Sequence, residues 1–295
     1  VVDEVNAIKD LSEIKIISEE EARSKGLIID IGAEIDDKYI ETIKKEAIQT
    51  DIQGKGDFKI VYSPLHGTGK RPVERVLKEM GFNAVYTVAS QAEPDGTFPT
   101  VGYANPEEPA VFKLGIELAE EVGATICMAN DPDADRIGIA VKDGDKWIYP
   151  NGNQVGLLLM NYILENKKDI PANGAVISTV VCTPMLETVA KTHGVKVYRT
   201  LTGFKYIGEK IREFETGALD GTYLFGFEES YGYLIGTHAR DKDAIVSSLV
   251  VAELAAYYAS KGTNVANELR AMYDKYGWYK EGIISGTMGG KEGVS

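Results

Sequence analysis

The pattern of apolar runs predicts an α/β protein: two similar three-layer α/β/α units with mixed sheets, in tandem. Three observations carry this. Short apolar runs of strand length alternate with amphipathic segments of helical period. Gly and Pro mark most of the transitions. The same strand–helix–strand layout then starts again after a break at 150–153.

In the first unit a strand is expected over 59–62, followed by a helix over 72–80 that Gly81 stops, and a strand over 84–88. The stretch 90–105 is irregular and rich in Pro and Gly. Asn105, with Pro106 at the first helical position and Glu108 three residues after the cap, predicts a helix over 105–122 ending at Gly123. Strands follow over 125–129 and 137–141, and Asp143-Gly144 predicts a hairpin turn into a strand over 147–149. In the second unit helices are expected over 154–165, 184–192 (capped by Thr183) and 204–215, with strands over 175–180, 195–198 and 223–227. Ile245, Leu249, Ala252 and Ala256 mark one face of a further helix, and another over 264–276 is capped near Thr263. Residues 1–53 read as a linker and remnant of a preceding domain, with an exposed helix over 37–49. The first unit then spans 54–152 and the second 153–279, and Gly-rich 280–295 begins a linker to a further domain.

At 295 residues, two domains is the expected number. No apolar run approaches the roughly 20 residues that cross a bilayer, and the first ten residues lack a basic signal-peptide region. The chain begins without Met and stops without a closing element, so both ends are expected to be cut. A net charge of −13 argues against nucleic acid, which needs clustered cations. It leaves open an anionic small substrate met by a few focused cations or a bound metal. Cys127 and Cys182, both in strand-like runs, are too few for a disulfide framework or zinc site, and predict buried thiols in a cytoplasmic protein.

The chemistry concentrates at Asn130-Asp131-Pro132-Asp133-Ala134-Asp135-Arg136, between two expected strands. Alternate spacing lets a tight loop aim Asp131, Asp133 and Asp135 at one centre. Without a cation this is unfavourable, since two such charges 4 Å apart repel by about 4 kcal/mol at an effective dielectric near 20. Hard oxygen donors suit Mg²⁺, Mn²⁺ or Ca²⁺. A calcium EF-hand fails, because Arg136 stands where Gly is needed and Lys142 where Glu is needed. A solvated acidic turn is the plain alternative. Arg136 adds a cation where a phosphate could lie. The segment His66-Gly67-Thr68-Gly69-Lys70-Arg71 is not a P-loop, since Pro64 replaces the first Gly and Arg71 the Ser/Thr. Taken alone, Gly226-Phe227-Glu228-Glu229-Ser230-Tyr231-Gly232 is a polar, Gly-flanked turn whose carboxylate and hydroxyl could reach adjacent sugar hydroxyls. His193, at a helix end before Gly194, needs only a capping role, and His238 lies in a loop near the polar turn without a clear assignment.

Together these segments resemble the α-D-phosphohexomutases, closest to the bacterial phosphoglucomutase/phosphomannomutase branch. Asp131-Pro132-Asp133-Ala134-Asp135-Arg136 is similar to the family's magnesium loop D-x-D-x-D-R, and Glu228-Glu229-Ser230 to its sugar motif G-E-x-S, with Phe227 between the Gly and the Glu. Thr202-Gly203-Phe204-Lys205 is similar to T-G-x-K, Arg240-Asp241-Lys242-Asp243 to R-x-K-D, and the His66 segment to the H-G-x-x-G turn that opens the second domain. The resemblance implies Asp131, Asp133 and Asp135 as ligands of one Mg²⁺, and Arg136, Lys242 and His66 as catalytic candidates. It implies Glu228, Ser230, Thr202, Gly203, Lys205 and Arg240 as substrate-binding.

The units would be domains two and three of four. The first domain's phosphoserine loop and the fourth domain's phosphate motif do not occur in this sequence. The implied reaction interconverts hexose 1-phosphate and hexose 6-phosphate, glucose first, through glucose 1,6-bisphosphate as intermediate and activator. The partners are then the hexose phosphate and the missing N- and C-terminal domains, with no nucleic acid and no membrane, and these 295 residues alone are expected to be inactive. The alternatives are a non-catalytic metal or sugar-phosphate-binding module, and a metal-dependent sugar phosphatase. The phosphatase needs Thr or Val where Asp135 stands.

Overall fold

The structure is a computed structural model and describes residues 2–282. The expected C-terminal linker lies outside these beyond residue 282. The chain divides into Val1–Tyr39 and Ile40–Ser295. The first part holds the short helices α1 (Val2–Ala7) and α2 (Glu19–Ser24) and begins α3 (Ala33–Lys44). Ser18 caps α2, its hydroxyl accepting the Glu21 N–H at 3.1 Å.

The second part carries both sheets. β1 (Ile60–Ser63), α4 (Lys70–Glu79), β2 (Val85–Thr87), α5 (Lys113–Val122), β3 (Ile126–Asn130), β4 (Ile137–Asp143) and β5 (Lys146–Ile148) form the first unit. Its sheet has the order β2-β1-β3-β4-β5, with the first three strands parallel and β4 and β5 antiparallel. The second unit runs through α6 (Gly152–Asn166), β6 (Gly174–Thr179), α7 (Met185–Thr192), β7 (Lys196–Thr200), α8 (Phe204–Thr216), β8 (Thr222–Phe227) and β9 (Tyr233–Ile235). Its sheet, β7-β6-β8-β9, repeats the order and mixed pairing of the first four strands. The chain then closes with α9 (Ala244–Ser260) and α10 (Val265–Tyr276). This is the predicted fold class. In each unit the two parallel crossovers run in opposite directions across the sheet, so right-handed connections put their helices on opposite faces. No described helix is long and apolar enough to cross a membrane.

Several elements depart from the sequence reading for physical reasons. The helix expected from Asn105 begins only at Lys113. Asn105 does cap a turn, accepting the Glu107 N–H at 3.0 Å, but Pro109 holds Glu108 in an extended conformation (ψ 116°) and stops propagation. A 3₁₀ turn, Pro109–Phe112, then leads into α5. Helix α3 lies earlier than expected and is not wholly exposed, because Ile40 and Ile43 are buried. Asn264, not Thr263, caps α10 by accepting the Asn267 N–H at 2.8 Å. Cys182 lies in the turn after β6 rather than in a strand, and both cysteines are free and buried.

Helix α9 differs most. One apolar face was expected, but every residue from Ala244 to Ala256 is buried. The helix packs on α4, β3 and β4 of the first unit and on β9 and α6 of the second, so each side meets a different neighbour. The helix that follows the second sheet therefore serves as a shared core.

The one charged residue of α9 is Glu253. Its carboxylate accepts the N–H groups of Ile48 at 3.0 Å and Gln49 at 2.5 Å, and the Tyr162 hydroxyl at 2.6 Å. Burial pushes its carboxyl above the ordinary 4.5, and those hydrogen bonds only partly oppose the shift. A raised folded value means the contribution to stability is complete below the unfolded value and lost as pH rises through the folded one. Replacing Glu253 by Gln removes the titration and keeps an acceptor. The melting temperature of Glu253→Gln should fall less than the parent's between about pH 4 and about pH 8. Calorimetric curves of equal slope would refute this.

Candidate active site between the two sheets

Strand β3 delivers the aspartate loop, and buried Asn130 pins its base. The Asn130 Oδ1 accepts the Tyr62 hydroxyl at 2.9 Å, and its Nδ2 donates to the Arg136 carbonyl at 3.2 Å and to Ser248 Oγ on α9 at 3.3 Å. The loop turns back because Asp131 Oδ1 accepts the N–H groups of Asp135 (3.0 Å) and Arg136 (2.8 Å). Ala134 takes the left-handed conformation at φ 57°, and its carbonyl accepts the Ala244 N–H at 3.1 Å. From the other side, the Gly67 backbone lies so close that a Cβ there would come within 2.3 Å of Pro132 Cα. Thr68 adds its N–H to the Pro132 carbonyl at 2.9 Å. The loop is thus held on both flanks.

Carboxylate oxygens of Asp131, Asp133 and Asp135 lie within 4.8 Å of one another. Burial pushes the Asp131 carboxyl up to about 7, against the pull of the Arg136 N–H, and the charges of Asp135 and Asp133 add to the rise. Three oxygen donors at this spacing fit a small hard cation such as Mg²⁺ or Mn²⁺.

Two cations border the triad. The Arg136 guanidinium lies 3.6 Å from Asp135 and 3.8 Å from Asp131, and Glu107 holds its Nη1 at 3.1 Å. A cleft of about 390 Å³ opens over Asp131, Asp133 and Arg136, walled by Phe98, Tyr103 and Asn105. Lys242, from the loop before α9, places Nζ 3.0 Å from Asp135 and 2.8 Å from Asp241. Burial works to lower the Lys242 pKa, but the bonds from Asp241 and Asp135 outweigh it and hold it above the ordinary value. The amine is therefore a charge rather than a base. Its stem lies flat on Gly232, where a Cβ would sit 2.1 Å from Lys242 Cδ.

The polar turn after β8 meets the aspartate loop directly. Ile137 donates its N–H to the Tyr231 carbonyl at 3.1 Å, and Arg136 and Gly232 form an antiparallel bridge. Tyr231 takes φ 66° to make this approach. Glu228 is buried, and its Oε1 accepts the Gly203 N–H at 2.8 Å. Burial raises the Glu228 carboxyl, and the Gly203 N–H and the Lys242 charge oppose that rise. Ser230 follows, half-buried. Phe227 belongs to the core, stacked with both Phe225 and Tyr233.

The remaining residues singled out from sequence divide. Gly203 joins Glu228, with Thr202 exposed beside it at the mouth of α8. Lys205 is exposed, its ammonium 5.0 Å from the centre of the Tyr206 ring. Arg240 binds Glu215 at 2.6 Å and the Thr237 carbonyl at 2.6 Å, toward the far end of α8. His66 is buried, its Nε2 2.8 Å from Thr100 Oγ1, and its carbonyl accepts the Asp95 N–H. It braces the 95–100 segment from beneath. Glu107, Asn130 and Gly232 were not foreseen. Only Asn130 carried a signal, as a polar residue at the end of an apolar strand.

Residues 37–144 match the phosphoglucomutase/phosphomannomutase alpha/beta/alpha domain II, and residues 151–276 match its domain III. The chain is 35% identical over 273 residues to a phosphoglucomutase of Staphylococcus epidermidis, covering 91% of this chain and 48% of that protein. It is 35% identical over 240 residues to a phosphoglucomutase of Staphylococcus aureus, covering 81% and 43%. The chain thus spans about half the length of the curated relatives it matches. A Thermus thermophilus structure assigned as a phosphomannomutase superposes with a TM-score of 0.66 at 23% identity, over 81% of this chain and 50% of that one; at that identity the likeness is one of fold. Two consecutive domain matches, covering both sheets and every loop of the site, make this chain a member of the phosphoglucomutase/phosphomannomutase family, represented by its domains II and III.

Proposed function

We propose that the chain is the central part of a phosphohexomutase that interconverts hexose 1-phosphate and hexose 6-phosphate through a hexose 1,6-bisphosphate. The observation that carries this reading is the convergence of Asp131, Asp133 and Asp135 with Arg136 and Lys242 beside a sugar-reading turn. The name of the relatives supports glucose as the hexose. In this reading 54–152 and 153–279 act as the two central domains. The phosphoserine and the grip on the second phosphate come from domains N- and C-terminal to them. Free thiols at Cys127 and Cys182 suit a cytoplasmic enzyme.

Phosphoryl transfer leaves the protein little covalent work, so rate comes from position and charge. Asp131, Asp133 and Asp135 would hold one Mg²⁺, which supplies charge neutralisation at the transferring phosphate. Arg136, fixed by Glu107, offers planar donors to phosphate oxygens. Lys242 adds a second positive charge beside Asp135. Glu228, steadied by the Gly203 N–H, and Ser230 meet neighbouring sugar hydroxyls. Such contacts near the middle of the ring work in both orientations of a bisphosphate. Thr202, Lys205 and Arg240 line the approach, and His66 supports the cleft wall.

Two experiments test this. Titration with Mn²⁺, followed by water relaxation, should give one site whose affinity falls at least tenfold in Asp133→Asn, the loss expected when a ligand goes. Gly67→Ala, which forces Pro132 away, should weaken the same site while circular dichroism stays unchanged. Unaltered Mn²⁺ binding in both variants would sink the metal assignment. In the full-length protein, glucose 1-phosphate should convert to glucose 6-phosphate in a reaction primed by glucose 1,6-bisphosphate. Asp133→Asn should lower kcat about a hundredfold or more. Release of inorganic phosphate without dependence on the bisphosphate would instead identify a phosphatase.

A further inference from the structure

His238 precedes Lys242 in the loop that joins β9 to α9, and neither the family match nor the reaction scheme uses it. Its Nε2 is 2.7 Å from Asp243 Oδ2, and both side chains are about nine-tenths buried (10% and 9% exposed). The other Asp243 oxygen, Oδ1, caps α9 by accepting the N–H groups of Ile245 (2.8 Å) and Val246 (3.2 Å). The Asp243 N–H goes to the Tyr233 carbonyl at 3.0 Å. One carboxylate thus ties the start of the helix to the start of the loop.

We propose that His238 is a positioning residue for Lys242: by closing the 238–243 loop through Asp243, it fixes where the Lys242 ammonium sits beside the aspartate loop. The importance of that place rests on the phosphohexomutase reading above.

The argument follows from what holds the loop at each point. Its end is fixed, since Asp243 is bonded to β9 and Ala244 to the carbonyl of Ala134 in the aspartate loop. Its middle rests on α8, where a Cβ on Gly208 would sit 2.6 Å from the Arg240 carbonyl. Lys242 bonds Asp241 within the loop through both its N–H and its Nζ at 2.8 Å, and outside the loop it meets Asp135 at 3.0 Å and the Gly232 backbone. A lysine stem has four rotatable bonds and a compact charge, so its direction follows the backbone that carries it. The His238–Asp243 contact closes that backbone into a ring of six residues. Without it, the path of 239–242 widens and the ammonium loses its fixed approach to Asp135.

A purely structural role for His238, as support for the α9 cap, makes a different forecast. If His238 acts through Lys242, the two substitutions are not independent, whereas a general loss of stability multiplies with any other defect. In the full-length protein, His238→Ala should lower kcat about tenfold to a hundredfold, as misplacement of a charged group does. His238→Gln, which keeps a side-chain donor toward Asp243, should recover most of the loss. The double variant His238→Ala/Lys242→Ala should turn over no more slowly than Lys242→Ala. A second measurement is independent of turnover: mass-spectrometric rates of acylation by an amine-directed anhydride. Lys242 should react several-fold faster in His238→Ala, with exposed Lys261 unchanged as the control. Multiplicative losses in the cycle, or an unchanged rate at Lys242, would overturn the proposal. If the unmodified protein shows no mutase turnover, the phosphohexomutase reading fails, and the acylation rates still decide whether His238 positions Lys242.

Discussion

Three carboxylates brought within 4.8 Å of one another repel, and the architecture around them exists against that repulsion. At an effective dielectric near 20, each pair at such a distance costs a few kcal/mol. The loop stays folded because its backbone is fastened to several elements: Asn130 to Tyr62 and α9, Pro132 to the Gly67–Thr68 turn, Ala134 to the start of α9. Arg136 and Lys242 supply positive charge 3.6 Å and 3.0 Å from Asp135. The fastening is mechanical and the neutralisation electrostatic.

That fastening also makes the two units interdependent. The aspartate loop belongs to the first sheet, while the helix and lysine that restrain it come from the end of the second. The Arg136–Gly232 bridge and the Ile137–Tyr231 hydrogen bond bring the polar turn after β8 against the aspartate loop through main-chain contacts. Main-chain geometry fixes distance more firmly than long side chains do. A site assembled from loops of both units benefits from such a joint. Helix α9, buried on all sides between both units, is the solid part of that joint.

Burial sets the character of each charged group here. Lys242 stays protonated because two carboxylates outweigh its desolvation. Glu228 is raised by burial, and the main-chain N–H of Gly203 opposes the rise. His238 and Asp243 place a compact hydrogen-bonded pair in the loop that joins β9 to the shared helix α9.

Local chemistry was enough to read much of this from sequence. Strand-length apolar runs, glycine stops and the turn at Asp143-Gly144 gave the layout of both units, because each follows from backbone and side-chain preferences over a few residues. Alternation at Asp131, Asp133 and Asp135 marked the acidic loop for the same reason. Where two local signals competed, as at Asn105 and Pro109, the conformational restriction from proline prevailed over the cap. Other features arise only when distant segments meet. Glu253 reaching the backbone of Ile48 and Gln49, Lys242 reaching Asp135 and Glu228 reaching Gly203 join residues far apart in the chain. His66 turns out to brace Thr100 for the same reason. Sequence alone determined which residues could do chemistry and which element carries each, since that depends on residue type and short spacing. Only the tertiary structure decided which of them face one another, because the packing of segments far apart in the chain, and not any local preference, sets those distances.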